Sequence, residues 1–262
     1  MRARYATPPP LGAGAELIRR IAPGVLLVAV AAACWAVTFD RMRGMDMGPG
    51  TDLGALGWFA GIWLTMMAAM MLPSLVPMVQ AHARMSRREQ APRPALGAML
   101  FAAGYLVAWL GAGLLAFALI KVAGSLSVPW LAWDRGGRYV AGGVILTAAL
   151  YELTPLKARC LRHCRQPSLL AERWRAGASG AARTGVEHGG LCIGAGWALM
   201  GALFAVGVMN LAWMVVIAAL VAIEKLLPRA GVAIAGTAVL VAALGLAVAL
   251  TPADVPWLTI PM

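Results

Sequence analysis

The sequence predicts an all-α, polytopic transmembrane helical bundle of about seven spans with its N-terminus inside, and three observations carry that prediction. Of 262 residues, 61% are hydrophobic and 13% charged, with mean hydropathy +0.77, far from the composition of a soluble domain. The apolar residues fall in runs long enough to cross a bilayer, which takes about 20 residues in a helix. Between the runs lie short basic segments. Seventeen of the 22 Lys and Arg residues fall on one predicted side, and only Arg41, Arg43, Lys121, Arg135 and Arg138 on the other, the asymmetry that orients inner-membrane proteins. A net charge of +11 gathered in interhelical loops, with no basic surface, argues against nucleic acid as a partner. The partner implied is the lipid bilayer, and the location a bacterial inner membrane crossed many times.

Residues 1–21 read as a cytoplasmic, Pro-rich and basic tail, and 22–250 as one transmembrane domain. The first span, about 22–39, follows Arg19-Arg20 and includes Ala31 to Ala36, features shared with a cleaved signal peptide. Its apolar run exceeds a usual signal core, and the topology closes with it retained. An outer loop over 40–50 leads into the run 55–80, which carries no charge. Within it Met67, Met70, Met71, Ser74 and Met78 share one arc of about 100° on a helix. Pro73 and Pro77 free backbone carbonyls that only neighbouring helices, side chains or water can satisfy inside lipid, so this helix belongs in the interior of the bundle.

The third span covers about 96–120 and the fourth about 138–155; Trp130 and Trp133 between them suit a membrane interface. Residues 156–187 form the main cytoplasmic basic loop. From Gly189 to Leu227 the chain is nearly all apolar and twice as long as one span needs, so a break is expected near Gly207–Asn210. The seventh span covers about 231–250, and 251–262 is a short outer tail. Glycine and alanine in every span permit close helix approach.

Several groups have the chemistry of soft-metal ligands. Met42, Met45 and Met47 in the outer loop offer thioethers, which select Cu(I) over harder ions; the same residues serve equally as flexible apolar anchors. The Met67, Met70 and Met71 stripe is either gap-filling in a helix interface or a track for such an ion. Cys160, His163 and Cys164 place two thiols and an imidazole within about one helical turn, which is half of a zinc or Cu(I) thiolate site. His188 and Cys192, again four apart, share a helix face and are expected to join them at the inner side. Glu152 and Glu224 read as anchors at the inner boundary, with a proton-relay or counter-charge role also open to Glu224. Paired intramembrane histidines, a nucleotide-binding loop and a hydrolase triad are all missing, so no enzyme is expected.

The segments Trp63-x-x-Met66-Met67-Ala68-Ala69-Met70-Met71-Leu72-Pro73, Thr154-Pro155-Leu156-Lys157-x-x-Cys160-Leu161-x-His163-Cys164, His188-Gly189, Trp197-Ala198-Leu199-Met200, Gly207-Val208-Met209-Asn210-Leu211-x-Trp213-Met214 and Glu224-Lys225 resemble a bacterial family of uncharacterised, predicted metal-binding integral membrane proteins. The resemblance covers most of residues 55–230 and implies a membrane location and a metal role. Family members carry further cysteines just before the tryptophan matching Trp197, where this chain has Ala195 and Gly196; the departure implies a weakened site or a different task. The expected function is binding or transport of a soft metal ion, copper first and zinc as the alternative, in concert with other membrane or periplasmic metal-handling proteins. The competing expectation is a membrane scaffold or assembly subunit with no ion pathway.

Overall fold

The computed structural model describes residues 13–42, 53–125, 136–207, 210–227 and 230–250. Among these are nine helices and no strand: α1 (Ala13–Met42), α2 (Leu56–Arg88), α3 (Pro94–Ser125), α4 (Arg138–Glu152), α5 (Pro155–Arg165), α6 (Pro167–Ala171), α7 (Gly177–Val206), α8 (Leu211–Leu226) and α9 (Ala230–Leu250). Five of them, α1, α2, α3, α7 and α9, are long and apolar enough to cross a membrane, or six if the bent pair α4 and α5 counts as one span. The helix α8 is apolar but has 16 residues, short for a full crossing.

The bundle is built around α2, α3 and α7. The most extensive contact is α3 with α7, followed by α1 with α2 and α4 with α9. At the α3–α7 crossing a Cβ on Gly185 would run into the Phe101 carbonyl, so the backbones meet directly, as small residues allow between membrane helices. The Trp63 indole donates to the Trp109 carbonyl at 2.8 Å, tying α2 to α3. Helix α2 runs through Pro73 and Pro77 without ending and is the most buried span, as its prolines and methionines predict: Met67, Met70, Met71 and Met78 are all buried.

The expected break after the fifth span is present. Helix α7 ends at Gly207, whose φ of +112° lies outside the helical region, and the Asn210 side chain caps α8 by accepting from Ala212 and Trp213. The basic segment 156–187 folds into α5, α6 and the start of α7. Thr154 accepts from the Lys157 backbone and Pro155 opens the helix, a cap and first-turn proline that start a helix where a basic loop was expected. Helix α5 bends 66° from α4 and packs against α7 and α8, which carries its cysteine side inward: Lys157, Leu161 and Cys164 are buried.

Candidate soft-metal site

Three elements converge at the middle of the bundle: the centre of α2, the centre of α7 and the last turns of α8, with α5 closing the side. On α7, Thr184, His188, Cys192 and Ala195 repeat every three or four residues and are all buried, so they form the inward stripe of that helix. Cys192 Sγ lies 3.0 Å from the Tyr105 hydroxyl and within hydrogen-bonding reach of the Cys164 thiol. The Lys225 ammonium donates to Cys192 Sγ at 2.9 Å and to Ser74 Oγ at 3.1 Å, and stands 3.8 Å from Met71 Sδ. A part-buried cation therefore already rests against a thiol, a thioether and a hydroxyl. Beside it lies a cavity of about 10 Å³, lined in part by Met71, Cys192, Ala195, Gly196, Glu224 and Lys225, close to the least space that holds one water. Ala195 and Gly196 thus border the same cavity as Cys192, so a longer side chain at either position would add its donor here.

Cys160, one turn before Cys164, turns toward α7; its sulfur would lie 2.8 Å from a Cβ built on Gly194, so the missing side chain there makes its room. His163 and His188 line a second cavity of similar size with Arg173 and Thr184. The His163 Nδ1 faces the Arg159 carbonyl at 2.8 Å; a carbonyl only accepts, so Nδ1 is the donor of this pair. The His188 ring packs between Phe101 and Tyr105, with centroids 5.6 and 6.0 Å away.

The structure brings together Cys164, Cys192 and Met71, and places Cys160, His163 and His188 around them. It does not gather all of these on one ion: among the described residues, no group of three or more His, Cys, Asp or Glu side chains converges as a metal centre. Met42 is buried but remote. Gly24 lies against Gln80 and Arg41 over the Trp58 ring, so α1 runs antiparallel to α2, and Met42 lies near Trp58, about 20 Å along α2 from Met71. Met45 and Met47 lie outside the described residues. Met67, one turn before Met71, and Met70, the residue just before it, are both buried on α2.

Glu152 and Glu224 correct one expectation. They are not snorkelling anchors: both are buried, and Lys157 bridges them, contacting Glu152 directly and Glu224 at 2.8 Å. A carboxylate in an apolar interior needs a partner, and α5 supplies it. Sequence reasoning missed Lys225, Ser74 and Tyr105 as members of the site. The signal for Lys225 was present in the Glu224-Lys225 dipeptide within an apolar run, since ionisable residues inside a membrane segment mark function by default; nothing in the sequence pointed to Tyr105.

No curated protein and no solved structure matches the chain. The sequence model of the family described as PpoB2, copper chaperone, matches residues 60–248, the stretch that includes every helix of the site just described. The chain belongs to that family.

Proposed function

We propose that the chain binds Cu(I) as cargo within the membrane and passes it on, with Cys164, Cys192 and Met71 as the central donors and Met67, Met70, His163, His188 and Cys160 flanking them. One observation carries the reading: the Lys225 ammonium rests against Cys192 and Met71 sulfurs. Thiolate and thioether sulfur select Cu(I) over Mg(II) or Ca(II), and low-coordinate sulfur sets suit it better than the four-ligand sites of structural zinc. Cu(I) carries the same single charge as the ammonium it would displace from those sulfurs. The copper label of the family supports the identity of the ion. The chemistry is binding and transfer, with no bond made or broken in a substrate. The test is metal content: protein purified after growth with added copper or added zinc retains Cu(I) near one equivalent and little zinc. Copper absent under both conditions overturns the reading.

We further infer seven crossings, formed by the five long apolar helices α1, α2, α3, α7 and α9 together with the shorter α4 and α8, of 15 and 16 residues, with the N-terminus in the cytoplasm of a bacterial cell and the arginine-rich end of α2 facing inward. The excess of Lys and Arg in the corresponding loops supports this orientation. A cysteine placed at Arg88 should react with impermeant maleimide only after the membrane is opened; reaction in intact cells refutes the orientation.

The second reading is a scaffold with no ion pathway. What favours it is the absence, among the described residues, of a convergent His, Cys, Asp or Glu group, together with the complete burial of the methionine stripe, which packing alone accounts for.

A further inference from the structure

Lys225 stands in the last turn of α8, half-buried, and its ammonium occupies the place that a soft cation would take. It donates to Cys192 Sγ at 2.9 Å and to Ser74 Oγ at 3.1 Å, with Met71 Sδ at 3.8 Å. The Ser74 hydroxyl spends its own proton on the Met71 carbonyl at 2.9 Å, which leaves its lone pairs to the lysine. None of these three partners is a carboxylate, although Glu224 precedes Lys225 in the chain and lines the same small cavity. Both Glu224 oxygens are held by Lys157, at 2.9 and 2.8 Å. A carboxylate has about four lone-pair sites, so Glu224 can accept a second ammonium. The lysine stem is four carbons long and turns freely about its bonds, which gives the head group the reach to exchange sulfur for oxygen. An ion bonded to Cys192 and Met71 would meet the ammonium at close range, where two cations repel strongly in a medium of low polarity.

We propose that Lys225 is a tethered competitor for the cargo: Cu(I) enters the cradle by displacing the ammonium from Cys192 and Met71 toward Glu224, and the return of the ammonium expels the ion. This rests on the copper reading above and adds how the same site lets its ion go. Sulfur donors alone would bind Cu(I) and keep it; a built-in cation of equal charge lowers the affinity and speeds release. The exchange is one of ligands only. The N–H···S contact breaks and a copper–sulfur bond forms, copper keeps its oxidation state, and a proton still on a coordinating thiol leaves to water.

Lys225→Gln removes the charge and keeps a polar chain, whereas Lys225→Arg keeps the charge. Each is purified in detergent beside the parent, loaded with Cu(I) and titrated with a chromogenic Cu(I) chelator. Lys225→Gln is expected to bind Cu(I) about tenfold more tightly and to surrender it to excess chelator about tenfold more slowly, with Lys225→Arg within about threefold of the parent in both, since the repulsion follows the charge. A lysine that only packed the end of α8 would lower thermal stability on replacement without lengthening copper retention. Displacement itself is read from lysine signals: the chain has three lysines, Lys121, Lys157 and Lys225, so ¹⁵N-lysine labelling gives few ammonium signals, and Lys225→Arg identifies that of Lys225. It should move when Cu(I) is added while that of Lys121 stays. An unmoved Lys225 signal in copper-loaded parent overturns the proposal whatever the variants do. Where the parent binds copper and Lys225→Gln binds it no more tightly or releases it as fast, the competitor is refuted and the copper reading stands. Copper taken up by Lys225→Gln but not by the parent supports the competition and refutes the copper reading of the unaltered chain; copper taken up by neither overturns both.

Discussion

Lys157 and Lys225 both bring an ammonium into the apolar interior within the same few helices, and they are held by opposite chemistries. Lys157 lies between the carboxylates of Glu152 and Glu224, hard oxygen partners that match a hard, compact cation in charge and geometry. Lys225, one residue from Glu224 on α8, turns the other way, onto Cys192, Ser74 and Met71. Sulfur is a poor partner for an ammonium and a good one for a soft metal ion. The first site is a closed structural clasp joining α4, α5 and α8; the second leaves an ammonium on soft partners, the arrangement on which the proposed copper reading rests.

The comparison is broken most severely at the clasp. Lys157→Met leaves two buried carboxylates without a partner and should destabilise the protein by about 3–5 kcal/mol, seen as loss of folded protein on heating in detergent. Lys157→Met combined with Glu152→Gln and Glu224→Gln should recover most of that loss, because it removes the unpaired charges. If the single change melts like the parent, the clasp contributes nothing and the two lysines do not differ in kind.

At the sulfur cradle the expected effects fall on metal binding. Cys164→Ser with Cys192→Ser conserves size closely and should weaken Cu(I) binding at least a hundredfold, or about 2.7 kcal/mol, measured by competition against a chromogenic Cu(I) chelator. The thermal stability of that variant should change far less than that of Lys157→Met. Equal copper affinity in the double variant would place the cargo elsewhere.

The smallest structural effect is expected in the methionine stripe. Met67→Leu with Met71→Leu nearly conserves volume and should cost under about 1.5 kcal/mol at each site. Leucine offers no sulfur lone pair, so copper accumulation in cells should fall while protein abundance holds. Unchanged accumulation favours the scaffold reading over the copper reading.

Much of the helical layout was legible in advance because hydrophobic length and glycine or proline punctuation are local properties. The α7–α8 break at Gly207–Asn210 was written in a few residues, whereas α5, started by Thr154 and Pro155, lies where the basic composition suggested a loop. The inward direction of α2 followed from Pro73, Pro77 and the methionine spacing. The candidate site was legible in its residue types, since Cys160, Cys164 and Cys192 announce sulfur chemistry wherever they fall. Its membership was less so. Met42 shares the chemistry of Met71 and lies far from it, because helix ends are separated by the length of the helix itself.

What the sequence by itself determined, then, is the membrane class, the approximate placement of the long apolar helices and the soft character of the donors, each a matter of composition or of neighbours along the chain. Only the tertiary structure decided that Cys192 meets Lys225 across 33 residues and Tyr105 across 87, that Lys157 clasps Glu152 and Glu224, and that His82 is buried against Phe101. Those outcomes depend on how α5 bends off α4 and how closely α3 and α7 approach, which are set by packing between distant segments. Pairing of buried polar groups is a three-dimensional requirement, and residues that satisfy one another in space need leave no trace of it in their spacing along the chain.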